Sequence, residues 1–168
     1  MLVSLALIAA GYALKAYVES RTVTVSGAGI TAQAPASWQV IANPNELVVR
    51  DPVNQSTLYA ASAIDAPTGA LLADVAQAAT GQRASLLLGY QMLDQQPIRL
   101  GARDGYRIHY AYSTVAGGAT NAQLIEGVDL YFAAGARIVA VSYEAPASRF
   151  SSAYAGFERF AASAEASQ

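Results

Sequence analysis

Residues 105–112 read Gly-Tyr-Arg-Ile-His-Tyr-Ala-Tyr, and this stretch decides the fold. Tyr106, Ile108, Tyr110 and Tyr112 recur at every second position, the period of a strand with one buried face. Downstream, Gly117-Gly118 supplies a turn before 123–132, and Gly135 marks a tight turn before 137–144. Three strands joined by such turns predict an antiparallel meander. Hydrophobic pattern suggests its register: Tyr106 opposite Leu130, Ile108 opposite Val128 and Tyr112 opposite Leu124, with Arg107 opposite Asp129 on the other face. A slip of one residue would bury Asp129 among the tyrosines, so patterning disfavours it. The third strand is apolar on both sides, with Ile138 and Ala140 on one and Val139, Val141 and Tyr143 on the other. Such a strand needs a covering layer on each face.

Reading outward toward the C-terminus, Pro146 ends the third strand and Ser148 is the expected helix N-cap. Phe150, Tyr154, Phe157 and Phe160 or Ala161 follow at helical spacing, an aromatic stripe suited to packing on a sheet. Residues 165–168 are expected to fray. Upstream, 90–100 is irregular to extended, and Pro97 marks it as an edge strand. Residues 68–88 shift to helical spacing through Leu72, Val75, Ala76, Ala79 and Leu86, with Gly81 weakening the helix by about 1 kcal/mol relative to alanine. Earlier strands are expected at 30–34, 38–41, 46–50 and 57–64, divided by Pro35, Asn43-Pro44-Asn45 and Asp51-Pro52.

Composition narrows the chemistry. The 168 residues are 54% hydrophobic and only 13% charged, which excludes a disordered chain. Net charge is −2 with no basic stripe, so nucleic acid is not an expected partner. Cysteine is absent, removing disulfides, thiol catalysis and thiolate metal sites. His109 is the single histidine and shares strand parity with Arg107 and Ala111, away from the tyrosines; it reads as a hydrogen-bonded structural residue. Asp51, Asp65, Asp104, Glu126 and Asp129 are isolated carboxylates with no calcium-loop spacing. Gly27-Ala28-Gly29 lacks the third glycine of a dinucleotide loop, and neither Gly-x-Ser-x-Gly nor a phosphate-cradling loop occurs. The ten tyrosines read as sheet packing or as an interface surface. No catalytic residue, cofactor or metal is expected.

The first 14 residues carry no charge, and apolar character resumes after Lys15. About 18 helical residues span about 27 Å, close to the roughly 30 Å hydrocarbon core of a bilayer. A retained anchor, a cleaved signal peptide and a buried helix compete. The anchor is favoured because a basic leader region is missing, while Tyr12, Tyr17 and Lys15 suit the headgroup level. As a helix, the segment would align Ser4, Gly11 and Lys15 as candidates for a membrane-helix interface. The expected division is therefore an anchor or signal segment at 1–20, a linker or short strand at 21–28, an α+β domain at 29–164 and a tail at 165–168.

The order of elements, with Gly29-Ile30 through Pro35-Ala36-Ser37-Trp38, Val49-Arg50-Asp51-Pro52, 105–112, Val141-Ser142-Tyr143-Glu144-Ala145 and Phe150 through Phe160, resembles the PsbP and Mog-type fold. That fold includes small bacterial lipoproteins such as DcrB. The resemblance spans roughly residues 28–164 and rests on structural markers. It implies an antiparallel sheet flanked by helices in an α/β/α sandwich, with a non-catalytic role beside a membrane. It also implies an extracytoplasmic domain, whereas Lys15 and Arg21 after the apolar run point to the cytoplasm by the positive-inside rule. No lipobox cysteine is present, so lipoprotein anchoring does not carry over. The expected function is a single-pass accessory subunit of a photosynthetic or respiratory membrane complex, with integral membrane proteins and the bilayer as partners. The alternative is an envelope module that binds a lipid or other hydrophobic ligand.

Overall fold

In a computed structural model, Gly11 and residues 21–67, 69–115 and 122–166 are described. Among the described residues from 21 onward, ten strands and two helices follow in the order β1 (Thr22–Gly27), β2 (Ile30–Pro35), β3 (Gln39–Ala42), β4 (Leu47–Arg50), β5 (Leu58–Asp65), α1 (Leu72–Leu86), β6 (Gln91–Leu100), β7 (Arg103–Val115), β8 (Ala122–Ala134), β9 (Arg137–Pro146), α2 (Phe150–Ser163) and β10 (Glu165–Ala166). The main sheet has the order β3-β4-β5-β9-β8-β7-β6, and a small sheet has the order β1-β2-β10. All pairings are antiparallel.

Pro35 and the turn after it carry the chain from the small sheet to the edge of the main one, as the Trp38 N–H closes onto the Pro35 carbonyl at 3.1 Å. Residues 22–27 are a full strand, paired with β2 along their length. Glu165 and Ala166, expected to fray, instead pair with Thr31 and Ile30. Pro97 does lie on an edge strand, where its missing N–H costs no ladder bond. β9 occupies the centre of the main sheet and is covered on both faces, as its double apolar pattern requires.

One face packs against α2 and β2. Leu47, Val49, Tyr59, Val141, Tyr143, Phe157 and Phe160 are all buried there in one apolar cluster. The aromatic spacing of α2 is the cause, since Phe157, Phe160 and Ala161 fall on one stripe. The cap differs from expectation: Arg149, not Ser148, precedes the helix, and no side chain caps it. At the other end, the Arg103 guanidinium donates to the carbonyls of Ala161, Ala162 and Ala164, satisfying groups a helix terminus leaves open.

The opposite face packs against α1, with Ile108, Tyr110, Tyr131 and Ile138 beneath Ala76. Ala76 is the one fully buried residue of α1; Leu86, expected on its apolar stripe, is 81% exposed. The meander register is also shifted by one residue from the hydrophobic expectation. Tyr106 pairs with Tyr131, Ile108 with Asp129, Tyr110 with Gly127 and Tyr112 with Ile125. Asp129 therefore faces inward and is buried. The physical reason is a cation that strand patterning alone does not reveal, supplied by α1.

Among the described residues, no helix is long and apolar enough to cross a membrane. Ser4 and Lys15 lie outside the described residues, as does the Gly117-Gly118 turn; Gly11 is helical.

Candidate functional site

Asp129 is at the centre of the most concentrated chemistry in the domain. Arg83, near the end of α1, grips it with two parallel bonds of 2.9 Å, from Nε to Oδ2 and from Nη2 to Oδ1. The same guanidinium donates from Nη2 to Ser142 Oγ at 3.0 Å and from Nη1 to Glu144 Oε1 at 3.0 Å. Glu144 accepts from the Tyr110 and Tyr112 hydroxyls, both at 2.9 Å. Tyr131 donates to Asp129 at 3.4 Å. Arg83 also lies over the Tyr110 ring, 5.0 Å from its centre, within cation–π range.

Strand alternation builds this cluster. Ser142 and Glu144 share one face of β9, Asp129 and Tyr131 the same face of β8, and Tyr110 and Tyr112 the same face of β7. Tyr110 has room because its direct partner is Gly127; a β-carbon there would meet the hydroxyl at 2.7 Å. Tyr90 stacks on the Tyr110 ring.

Burial sets the proton affinities. Loss of water pushes the Asp129 carboxyl above its ordinary range, and the attraction of Arg83 does not fully reverse this. The Tyr110, Tyr112 and Tyr131 phenols are pushed up by the same loss of water and by the neighbouring carboxylates, so they remain neutral donors. Arg83 keeps its charge throughout. A clamp of committed donors and acceptors results, and it holds α1 on the sheet. At its edge a groove of about 240 Å³ opens between Glu46, Arg50, Leu58, Arg83 and Glu144. Burial raises the Glu46 carboxyl, with Arg83 opposing and Glu144 and Asp129 adding to the rise.

His109 and the carboxylates singled out in the sequence have structural partners. His109 Nε2 meets Glu126 Oε1 at 2.7 Å while the imidazole stacks on Phe150. Asp51 accepts from the Val53 N–H and the Asn54 amide, both at 2.8 Å. Asp65 pairs with Arg137 and Asp104 with Arg99. Among the described residues, no group of acidic, histidine or cysteine side chains is placed to hold a metal ion. Pro35, Trp38 and Asp51 from the two sequence markers meet Tyr59, Gly156 and Arg159 in a second groove of about 420 Å³, where Trp38 lies 4.5 Å from the Tyr59 ring.

Arg83 is the residue that sequence reasoning missed, although a signal existed. Leu72, Ala76, Ala79 and Arg83 succeed one another at intervals of four, three and four, so the arginine lies on the apolar stripe of α1. A cation on the buried face of a helix requires a buried anion, and Asp129 in the shifted register supplies it.

No family model and no curated protein matches this chain. Solved structures do. The cyanobacterial PsbP (CyanoP) of Synechocystis sp. PCC 6803 superposes with a TM-score of 0.62 at 14% identity, covering 87% of this chain and 91% of that one. The Ran-binding protein Mog1p of Saccharomyces cerevisiae gives 0.61 at 12% identity, over 87% and 94%. LpqN of Mycobacterium tuberculosis, described as involved in cell envelope biogenesis, gives 0.50 at 13% identity, over 90% and 95%. At these identities the likeness concerns architecture. The antiparallel sheet between α1 and α2 is that of the PsbP/Mog-like fold.

Proposed function

We propose that the protein is a non-catalytic, membrane-anchored accessory subunit of a larger membrane assembly, photosynthetic or respiratory, with its PsbP-like domain on the extracytoplasmic side. One observation carries the non-catalytic part: Arg83, Asp129, Ser142, Glu144 and three tyrosines bond to one another and fasten α1. Chemistry that elsewhere serves a substrate here serves the fold. The uncharged first 14 residues support the anchor. LpqN, described as involved in cell envelope biogenesis, has a similar architecture and supports an envelope setting, and the likeness to CyanoP supports the PsbP-like domain.

Native membranes carrying a C-terminally tagged chain should retain it through an alkaline wash, and mild detergent should release it together with integral membrane proteins. A detergent-solubilised chain that is monodisperse and free of partners overturns the reading. Mass spectrometry of an organic extract from the same preparation tests the envelope ligand-binding alternative, which requires a stoichiometric lipid.

A further inference from the structure

Among the described residues, the most exposed large apolar side chains are unevenly distributed. Val53, Leu86, Leu88, Val115 and Leu124 are between 54% and 85% exposed. All five gather at the end of the main sheet where β7 finishes and β8 begins. Ser113 pairs with Leu124 and donates its N–H to the Leu88 carbonyl at 2.9 Å. Ser56 donates to the Gln123 side chain at 3.3 Å, tying the loop that carries Val53 to the start of β8. Leu86 closes α1 two residues before Leu88. The other end of the sheet is different in kind. Its tips carry the Asp65–Arg137 and Arg99–Asp104 ion pairs, with Leu71 exposed near them.

The N-terminal apolar segment joins the domain at the apolar end. The Arg21 carbonyl accepts the Ala36 N–H at 2.9 Å, and Thr22 pairs with Pro35. Three residues after Ala36, Gln39 pairs with Arg50, next to the loop bearing Val53. Charge at this end also suits a membrane surface. The Asp51 carboxylate is bonded within its own loop, and the exposed Arg149 beside it bonds to Asn54 Oδ1 at 2.6 Å while its charge also favours the Asp51 carboxylate. Arginine at this level is complementary to anionic headgroups.

We propose that this end is a lipid-docking face, on which Val53, Leu88, Val115 and Leu124 enter the headgroup region of the same bilayer that holds the N-terminal segment. The inference rests on the anchored reading above. Apolar side chains at an interface bury about 5–10 Å into the headgroup and acyl boundary. A short tether makes weak individual contacts sufficient, because it sets an effective concentration on the order of millimolar or more. The domain then lies against the membrane in one orientation, with its ion-paired end pointing away.

The chain contains no cysteine, so single probes can be placed directly. Leu88→Cys, Val115→Cys and Leu71→Cys in the full chain, each labelled with nitrobenzoxadiazole, are reconstituted into phosphatidylcholine–phosphatidylglycerol vesicles containing nitroxide-headgroup lipids. The labels at 88 and 115 should be quenched roughly threefold or more relative to the label at 71, as expected for tips within the interface. Flotation with the vesicles but equal, weak quenching at all three positions overturns the docking face and leaves the anchor standing. Failure to float overturns both. Quenching that appears only after a membrane protein is added assigns the face to a protein partner and overturns the lipid proposal.

Discussion

The two faces of β9 solve one problem by opposite means. Toward α2, Val139, Val141, Tyr143 and Ala145 are fully buried against Phe157 and Phe160. Toward α1, Ser142 and Glu144 bond to Arg83. Tyrosine serves on both sides with different partners. Tyr59 and Tyr143 donate to the Ala153 and Phe150 carbonyls of α2, whereas Tyr110 and Tyr112 donate to a carboxylate. One helix is held by apolar area and the other by a charged clamp beside a smaller apolar patch of Leu72, Val75, Ala76 and Ala79. The α2 side should therefore respond to volume, and the α1 side to charge and pH.

The largest effect is expected on the apolar side. Phe157→Ala removes a fully buried ring that contacts Tyr59, Tyr143 and Tyr154. Urea denaturation should show a loss of about 3–5 kcal/mol at every pH tested. Arg83→Met should cost about 3 kcal/mol at neutral pH, because Asp129 is left buried without its cation. Adding Asp129→Leu to Arg83→Met should restore most of that loss, since an apolar pair of similar volume is often no worse than a buried ion pair. Additive losses in the double variant would show that the clamp is not a coupled unit.

The pH dependence sharpens the contrast between two aspartates. Burial raises the Asp129 carboxyl above its ordinary 3.8, so the folded protein binds this proton more tightly than the unfolded chain. Its contribution is full below 3.8 and is lost as pH rises through the higher folded value. The cost of Asp129→Asn should therefore shrink as pH rises across that window. Asp51 has the opposite sign. Although burial works against its charge, bonds from the Asn54 side chain and from the Val53 and Asn54 amides hold its carboxyl below 3.8. Its contribution is present above 3.8 and disappears as pH falls through the lower folded value. Asp51→Asn should cost at most about 1 kcal/mol at neutral pH, less where water screens the site, and nothing in acid. Stability curves of the two variants against pH that run parallel would refute both assignments.

These responses also explain what could be read from residues alone. The meander, the edge position of Pro97, the double cover of β9 and the aromatic stripe of α2 follow from periods of 2 and 3.6, which any listing of apolar positions displays. Register failed where the rule assumed that a carboxylate faces water. Asp129 lies on the tyrosine side because Arg83, 46 residues away in sequence, meets it there. The same gap hid the candidate site. Asp129 and Glu144 look isolated along the chain, and a helix and two strands must be assembled before they share a cation.

The smallest predicted effect isolates α1 from its clamp. Gly81 is exposed in this helix, and a β-carbon added there meets nothing within 4 Å. Gly81→Ala should therefore raise helix stability by about 0.5–1 kcal/mol without altering a contact. Where that gain appears distinguishes two modes of attachment. If the Arg83–Asp129 clamp makes α1 unfold with the sheet, the gain enters the global free energy measured in urea. If α1 lifts off alone, slowed amide exchange is confined to 72–86 and the urea midpoint does not move. The first outcome is expected, because releasing α1 would expose Tyr110 and Tyr131 and leave Asp129 without its cation.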